Sequence, residues 1–134
     1  MANLAAERAA VDSILAGFTA APVLWPDSTI KPPTPSADPA VPVSYVAAEI
    51  EYGAAEPTDF AGGTQTDGAV MLDVWTQRGR GDALLRQLLD SLVSLFAAAN
   101  TSDIFFLRPE PGAAQVDGAD WYGRSLRVPF VRFS

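Results

Sequence analysis

The side chains best suited to chemistry here are carboxylates. Glu49 and Glu51 lie two residues apart, so an extended strand turns both to one face, and Asp73 sits in a second strand-like segment able to lie beside them. Such a set offers a hydrolytic acid pair or part of a divalent-cation site. No local ligand pattern accompanies it, and carboxylates lining the solvated face of a sheet account for the same spacing. Lys31 is the sole lysine and lies in a proline-rich tract, where the desolvation that activates a catalytic amine is not expected. Arg80-Gly81-Asp82 spells an integrin-ligand tripeptide. Gly81-Asp82 before an apolar helix is also what a strand-to-helix turn with an aspartate cap requires. Gly53, Gly62, Gly63, Gly68 and Gly81 form neither a phosphate loop nor a dinucleotide fingerprint and read as turn residues.

Histidine and cysteine are both absent from the sequence. That excludes disulfides, thiolate zinc sites, cysteine nucleophiles and imidazole acid–base catalysis, and neither a cofactor nor a metal is expected. A length of 134 residues suits a single domain, residues 1–134, around one core. Hydrophobic residues make up 49% and mean hydropathy is +0.12, which fits a soluble globular chain with no apolar run long enough to span a bilayer. The first ten residues lack the basic-then-apolar pattern of an export signal, so a cytoplasmic origin is expected. A net charge of −7 argues against a sequence-independent grip on nucleic acid.

The elements that position these groups follow from periodicity. Asn3 can cap a helix whose stripe is Leu4, Val11, Ile14, Leu15 and Phe18, ending near residue 20 where Gly17 and Pro22 intervene. Residues 22–42 hold seven of the eleven prolines and predict an extended arm, which at about 3.1 Å per residue reaches about 65 Å. Val43 to Tyr52 alternates, with Val46, Ala48, Ile50 and Tyr52 opposite Glu49 and Glu51. Ala69 to Thr76 sets Val70, Leu72 and Val74 opposite Met71, Asp73 and Trp75. Residues 53–68 between them predict the loop of a projecting hairpin. Asp82 then caps the main core helix, striped by Leu85, Leu88, Leu89, Leu92 and Phe96 and ended by Asn100. A short strand, Asp103 to Arg108, stops at Pro109 and Pro111, and Gly112 to Gly118 predicts a turn region. The last strand, Trp121 to Phe133, sets Leu126, Val128 and Phe130 against Ser125, Arg127 and Val131, while Pro129 predicts an edge position or a bulge.

Strands joined without helical crossovers imply an α+β fold: an antiparallel sheet of about four strands with two helices packed on one face. The other face, offering Met71, Trp75 and Val131, is then only partly wet. Trp121 and Tyr122 cannot both face inward from one strand. Either one anchors a partner, or Trp121 covers the sheet end while Tyr122 packs inside. Residues 1–60 carry eight acids and two bases, whereas residues 61–134 carry eight acids and seven bases, with Arg124, Arg127 and Arg132 in the last eleven. An acidic front and a basic tail let one copy meet the next head to tail, and such contacts close into rings when the rotation permits.

The striped first helix, Trp25-Pro26 followed by Pro32-Pro33, the strands Val43-Ser44-Tyr45-Val46 and Leu72-Asp73-Val74-Trp75, the helix entrance Gly79 to Asp82, and Asp120-Trp121-Tyr122 through Val128-Pro129-Phe130 carry a resemblance. Together they resemble the tail terminator proteins of long-tailed bacteriophages and gene-transfer particles. The closing strand is longer and free of acids, and the connection after Pro109 less polar, than that pattern. The resemblance implies a non-enzymatic ring of six copies in the neck of the virion tail. Such a ring caps the head-proximal end of the tail tube, ends its growth and docks to the head-tail connector or stopper while DNA passes through without specific binding. Its partners would be copies of itself, the tube protein and the connector, with no membrane. On that footing Trp25, Phe60, Arg78, Arg80, Trp121, Tyr122, Arg124, Arg127 and Arg132 are the expected interface residues, and Glu49, Glu51 and Asp59 would face the opening. A neck stopper protein and a monomeric small-molecule-binding domain are the competing expectations.

Overall fold

A computed structural model describes residues 4–29, 31–38, 40, 43–57, 64–79, 82–99 and 104–133. In chain order these form α1 (Leu4–Leu15), β1 (Val23–Leu24), β2 (Ser44–Pro57), β3 (Thr64–Gln77), α2 (Ala83–Ala97), β4 (Ile104–Phe106), β5 (Glu110–Asp117) and β6 (Trp121–Phe133). The sheet runs β1-β2-β3-β6-β4, and β5 also pairs with β6. β4 lies against the end of β6, from Ile104↔Arg132 to Phe106↔Phe130, and β5 against its start, from Glu110↔Arg127 to Asp117↔Trp121. The fold is α+β as expected, but the sheet has six strands and is mixed rather than four and antiparallel. The caps expected at Asn3 and Asn100 lie outside the described residues.

Strand alternation decides where the core sits. The pairings Val46↔Val74, Ala48↔Leu72, Val70↔Val128 and Leu72↔Leu126 put these side chains on one face, all at most 2% exposed. Both helices cover that face: Leu85, Leu88, Leu92 and Phe96 of α2 and Val11 and Leu15 of α1 join the same cluster, as does Phe18. Each fully buried leucine of α2 is worth roughly 1.5–3 kcal/mol. That outweighs the missing cap, since Asp82 stands at the N-cap position without a side-chain capping bond and its carboxylate instead meets Arg86 at 3.1 Å.

Four further expectations are corrected. The proline arm begins as an edge strand, with Val46 N–H donating to the Pro22 carbonyl at 2.9 Å and Val23-Leu24 running parallel to Val46-Ala47. An edge needs bonds on one side only, so three consecutive non-proline residues, Val23 to Trp25, suffice. Most of residues 53–68 is strand rather than loop, because β2 and β3 stay paired out to Pro57↔Thr64 past an irregularity between Tyr52 and Ala55. Residues 110–117 form β5 rather than a turn; the register shifts between Pro111 and Ala114, and the turn itself is confined to Gly118, at φ +65°, and the two residues after it. Finally, Pro129 occupies an interior strand. Its carbonyl accepts the Leu107 N–H at 2.8 Å, so its own nitrogen faces the stretch between β4 and β5 where the ladder is already interrupted.

Two glycines hold aromatic rings in place across the strands. Gly68 lies opposite Phe130, and a Cβ there would stand 2.5 Å from the ring Cζ. Gly123 lies opposite Trp75, and a Cβ there would stand 2.7 Å from Cε3 and closer still to the Val74 carbonyl oxygen.

One polar group is buried on the core face. Glu7 shares the α1 stripe with Val11 and is 1% exposed. Its carboxylate makes no hydrogen bond, and Arg132 Nη1 lies 3.8 Å away. Burial pushes the Glu7 carboxyl above its usual range, and the Arg132 charge pulls it partly back. Arg132 itself is 8% exposed, so it serves the interior of its own subunit and is not offered to a neighbour's acids.

Gly123→Ala is expected to destabilise the fold by about 1–3 kcal/mol in denaturant melts, through displacement of Trp75 and the β3 backbone. Because the folded state holds the Glu7 proton more tightly than the unfolded chain, stability from this group is complete below the ordinary carboxyl range. It is lost as pH rises through the raised folded value. Melting temperatures measured from that range to neutrality should therefore fall for the wild type relative to Glu7→Gln.

Candidate functional site

The sheet face away from the helices carries the groups singled out from the sequence. Across it run Tyr45, Glu49 and Glu51 of β2, Met71, Asp73 and Trp75 of β3, and Trp121, Arg127 and Val131 of β6, placed there by the registers Tyr45↔Trp75, Glu49↔Met71 and Met71↔Arg127. At one end three aromatic rings cluster: Tyr45 stacks on Trp75 with centroids 6.5 Å apart and meets the edge of Trp121 at 4.9 Å. Tyr45 is 6% exposed, and burial, reinforced by the Asp117 and Asp73 charges, pushes its hydroxyl above the usual phenol range. The Gln115 amide donates to Asp73 Oδ1 at 3.2 Å. The carboxylates of Glu49 and Glu51 stand exposed. Among the described residues no three acidic side chains come together at metal-ligating spacing.

The proline arm closes back on this face instead of reaching outward. Gln77 amide Nε2 donates to the Ser36 carbonyl at 2.9 Å, and its Oε1 accepts the Val43 N–H at 2.8 Å. Between arm and sheet, Leu24, Pro26, Pro32, Tyr45 and Met71 wall a groove of about 320 Å³ edged by Glu49 and Asp73. Gln77 was not singled out from the sequence. A buried glutamine at a strand end, beside a tract whose prolines lack N–H donors, is the signal that would have found it.

At the opposite end of the face the surface turns apolar. Phe105 and Phe133 pack ring to ring at 5.9 Å, yet remain 44% and 45% exposed, and Leu107 beside them is 50% exposed. Gly53, Gly68 and Pro129 leave a hollow of about 380 Å³, with Glu51 and Asp67 on one bank and Leu107, Arg127 and Val131 on the other. The open face is thus acidic toward β2 and apolar with arginine toward β4. Phe105, Leu107 and Phe133 were missed because apolar side chains in and beside strands look like core residues in sequence.

The remaining expected residues separate. Trp25 is half-buried at the sheet edge under the Arg8 guanidinium, 3.7 Å from its ring centroid. Arg78 braces the β5–β6 turn, its backbone N–H donating to the Asp120 carbonyl at 2.8 Å and Nη1 to the Gly118 carbonyl at 3.2 Å. Trp121 meets Tyr45 at the end of the open face while Tyr122 packs against the core. Arg124 Nη1 donates to the Gly112 carbonyl at 2.7 Å, across the irregular part of β5. Arg127 faces outward, 3.7 Å from Glu110. Phe60, Arg80 and Asp59 lie outside the described residues.

No family model matches the chain, and no curated protein matches it in sequence. A solved structure known only by a bare sequence identifier is similar at TM-score 0.67 and 20% identity, over 98% of this chain and 96% of its own. That likeness shows that the whole chain adopts a fold already seen in a solved protein.

Proposed function

We propose that this chain is a structural subunit that closes with copies of itself into a ring, six in number. The ring caps the head-proximal end of a phage-type tail tube and presents its other side to the head-tail connector. The observation that carries this reading is the two-sidedness of the sheet: helices seal one face, and the other is left open with Glu49 and Glu51 exposed on it. In a ring the helix layer faces outward and the open sheet face lines the passage. Carboxylates there repel the phosphate backbone, so DNA slides through without being held.

No bond is made or broken in this role; shape and surface charge do the work. The ring must meet two unlike neighbours, and the sheet offers two unlike ends. The aromatic end with Tyr45, Trp75 and Trp121 lies under the returning arm, and the apolar end with Phe105 and Phe133 lies beside the hairpin. Trp25, Arg78, Trp121 and Arg127 remain in the proposed contact surface. Arg132, buried against Glu7, leaves it.

Purified subunit incubated with growing tail tubes is expected to bind one tube end as a ring in electron micrographs and to halt elongation. Binding to head portals with no effect on tube length would assign the subunit to the neck stopper role instead.

A further inference from the structure

We propose that the groove under the proline arm is a receptor for an arginine side chain presented by a basic partner protein. On the ring reading this gives one of the two unlike neighbours its chemistry, but the site stands on the chain's own geometry and is tested apart from any ring. Pro32 and Met71 give the groove apolar walls, Trp25 and Tyr45 give it aromatic ones, and Glu49 and Asp73 edge it. Tyr45 is 6% exposed, yet among the described residues its hydroxyl has no hydrogen-bond partner. A buried phenol ordinarily finds one, so this hydroxyl is left ready for a visiting group. Asp73 accepts the Gln115 amide at Oδ1, 3.2 Å away, and keeps Oδ2 for another donor. Glu49 has no ion-pair partner among the described residues.

Carboxylates and ring faces around one hollow call for a cation. The Asp117 and Asp73 charges add to burial in pushing the Tyr45 hydroxyl above the usual phenol range, so the hydroxyl lies in a negative potential. Among the described residues no lysine or arginine of the chain lines the groove. Arg8 lines the adjoining slot, where it stacks on Trp25 at 3.7 Å and lies 3.2 and 3.6 Å from Asp12 and Asp27, so its charge is offset there. Lys31, beside Pro32 in the chain, is exposed. Half-buried Arg127, next to Met71 across the β3–β6 ladder, lies 3.7 Å from Glu110. A guanidinium suits the groove better than an ammonium, because it is planar, stacks on rings and forks onto carboxylates. Its methylenes can lie along Pro32 and Met71. At a net charge of −7, the chain draws a basic partner to this groove more readily than another copy of itself.

The test titrates the full, isotope-labelled chain with acetyl-Gly-Arg-Gly amide and follows backbone amide shifts by NMR. Shifts confined to residues 45, 47–49, 71 and 73 are expected, with the lysine counterpart at least about threefold weaker and the neutral citrulline counterpart without effect. Glu49→Gln and Tyr45→Phe should each weaken binding by at least about threefold. Glu51→Gln removes the same charge outside the groove and should leave binding unchanged. Glu49 is exposed and Tyr45→Phe keeps its ring packing, so both variants are expected to melt like the wild type. No shifts, shifts elsewhere on the chain, lysine or citrulline binding as tightly as arginine, or an equal loss in Glu51→Gln overturns the site. Self-association in sedimentation that Glu49→Gln and Arg108→Gln abolish alike would place a second copy's exposed Arg108 in the groove and overturn the unlike partner. Tube capping reads separately: a chain that binds the arginine peptide but never caps tubes keeps the site and loses the ring.

Discussion

The fold depends on one shared register. β2, β3 and β6 run side by side for most of their length, and their pairing sends Val46, Ala48, Val70, Leu72, Val74, Leu126 and Val128 to the helices while sending Glu49, Met71, Asp73 and Arg127 the other way. A slip of one residue in any of the three would turn charged side chains inward and expose the core. The register therefore sets both the stability of the domain and the character of its open face. Helix α2 closes the arrangement with four side chains at most 2% exposed.

Around that constraint the molecule carries local compromises. Glu7 sits within the α1 stripe with no hydrogen bond and one nearby cation, so the contact between α1 and β6 is less favourable than its apolar neighbours alone would make it. Gly68 and Gly123 give up side chains so that Phe130 and Trp75 can lie flat across the neighbouring strand, which seals the backbone there with aromatic surface. Gln77 ties the end of the proline tract to the sheet with two hydrogen bonds, in a segment where prolines supply no donors of their own. The arm is thereby part of the subunit's surface and does not trail from it.

The central elements were legible in the sequence because burial on one face imposes a period of two on a strand and a three-and-four spacing on a helix. Val43 to Tyr52, Ala69 to Thr76, Trp121 to Phe133 and the leucine stripe of α2 all follow from this. The edges were not legible. β1 and β5 need ladder bonds on one side only, so they tolerate Pro22, Pro111 and Gly112, the residues that read as arm and turn. Pro129 misled in the opposite direction, since its acceptability depends on a gap between β4 and β5 that only the tertiary arrangement creates. At the candidate site, the open-face position of Glu49, Glu51 and Arg127 was legible from alternation. The fate of Arg132 was not, because Glu7 reaches it from the other end of the chain.

The role proposed for this subunit asks nothing of reactive groups and everything of placement: helices outward, sheet inward. The most direct measurement is a three-dimensional electron-microscopy reconstruction of the subunit in place on a tail tube, at a resolution that separates helices from strands. The account predicts a closed ring at one tube end with the β2, β3 and β6 strands lining the passage. Helices lining the passage, or subunits arrayed along the tube wall, would contradict it.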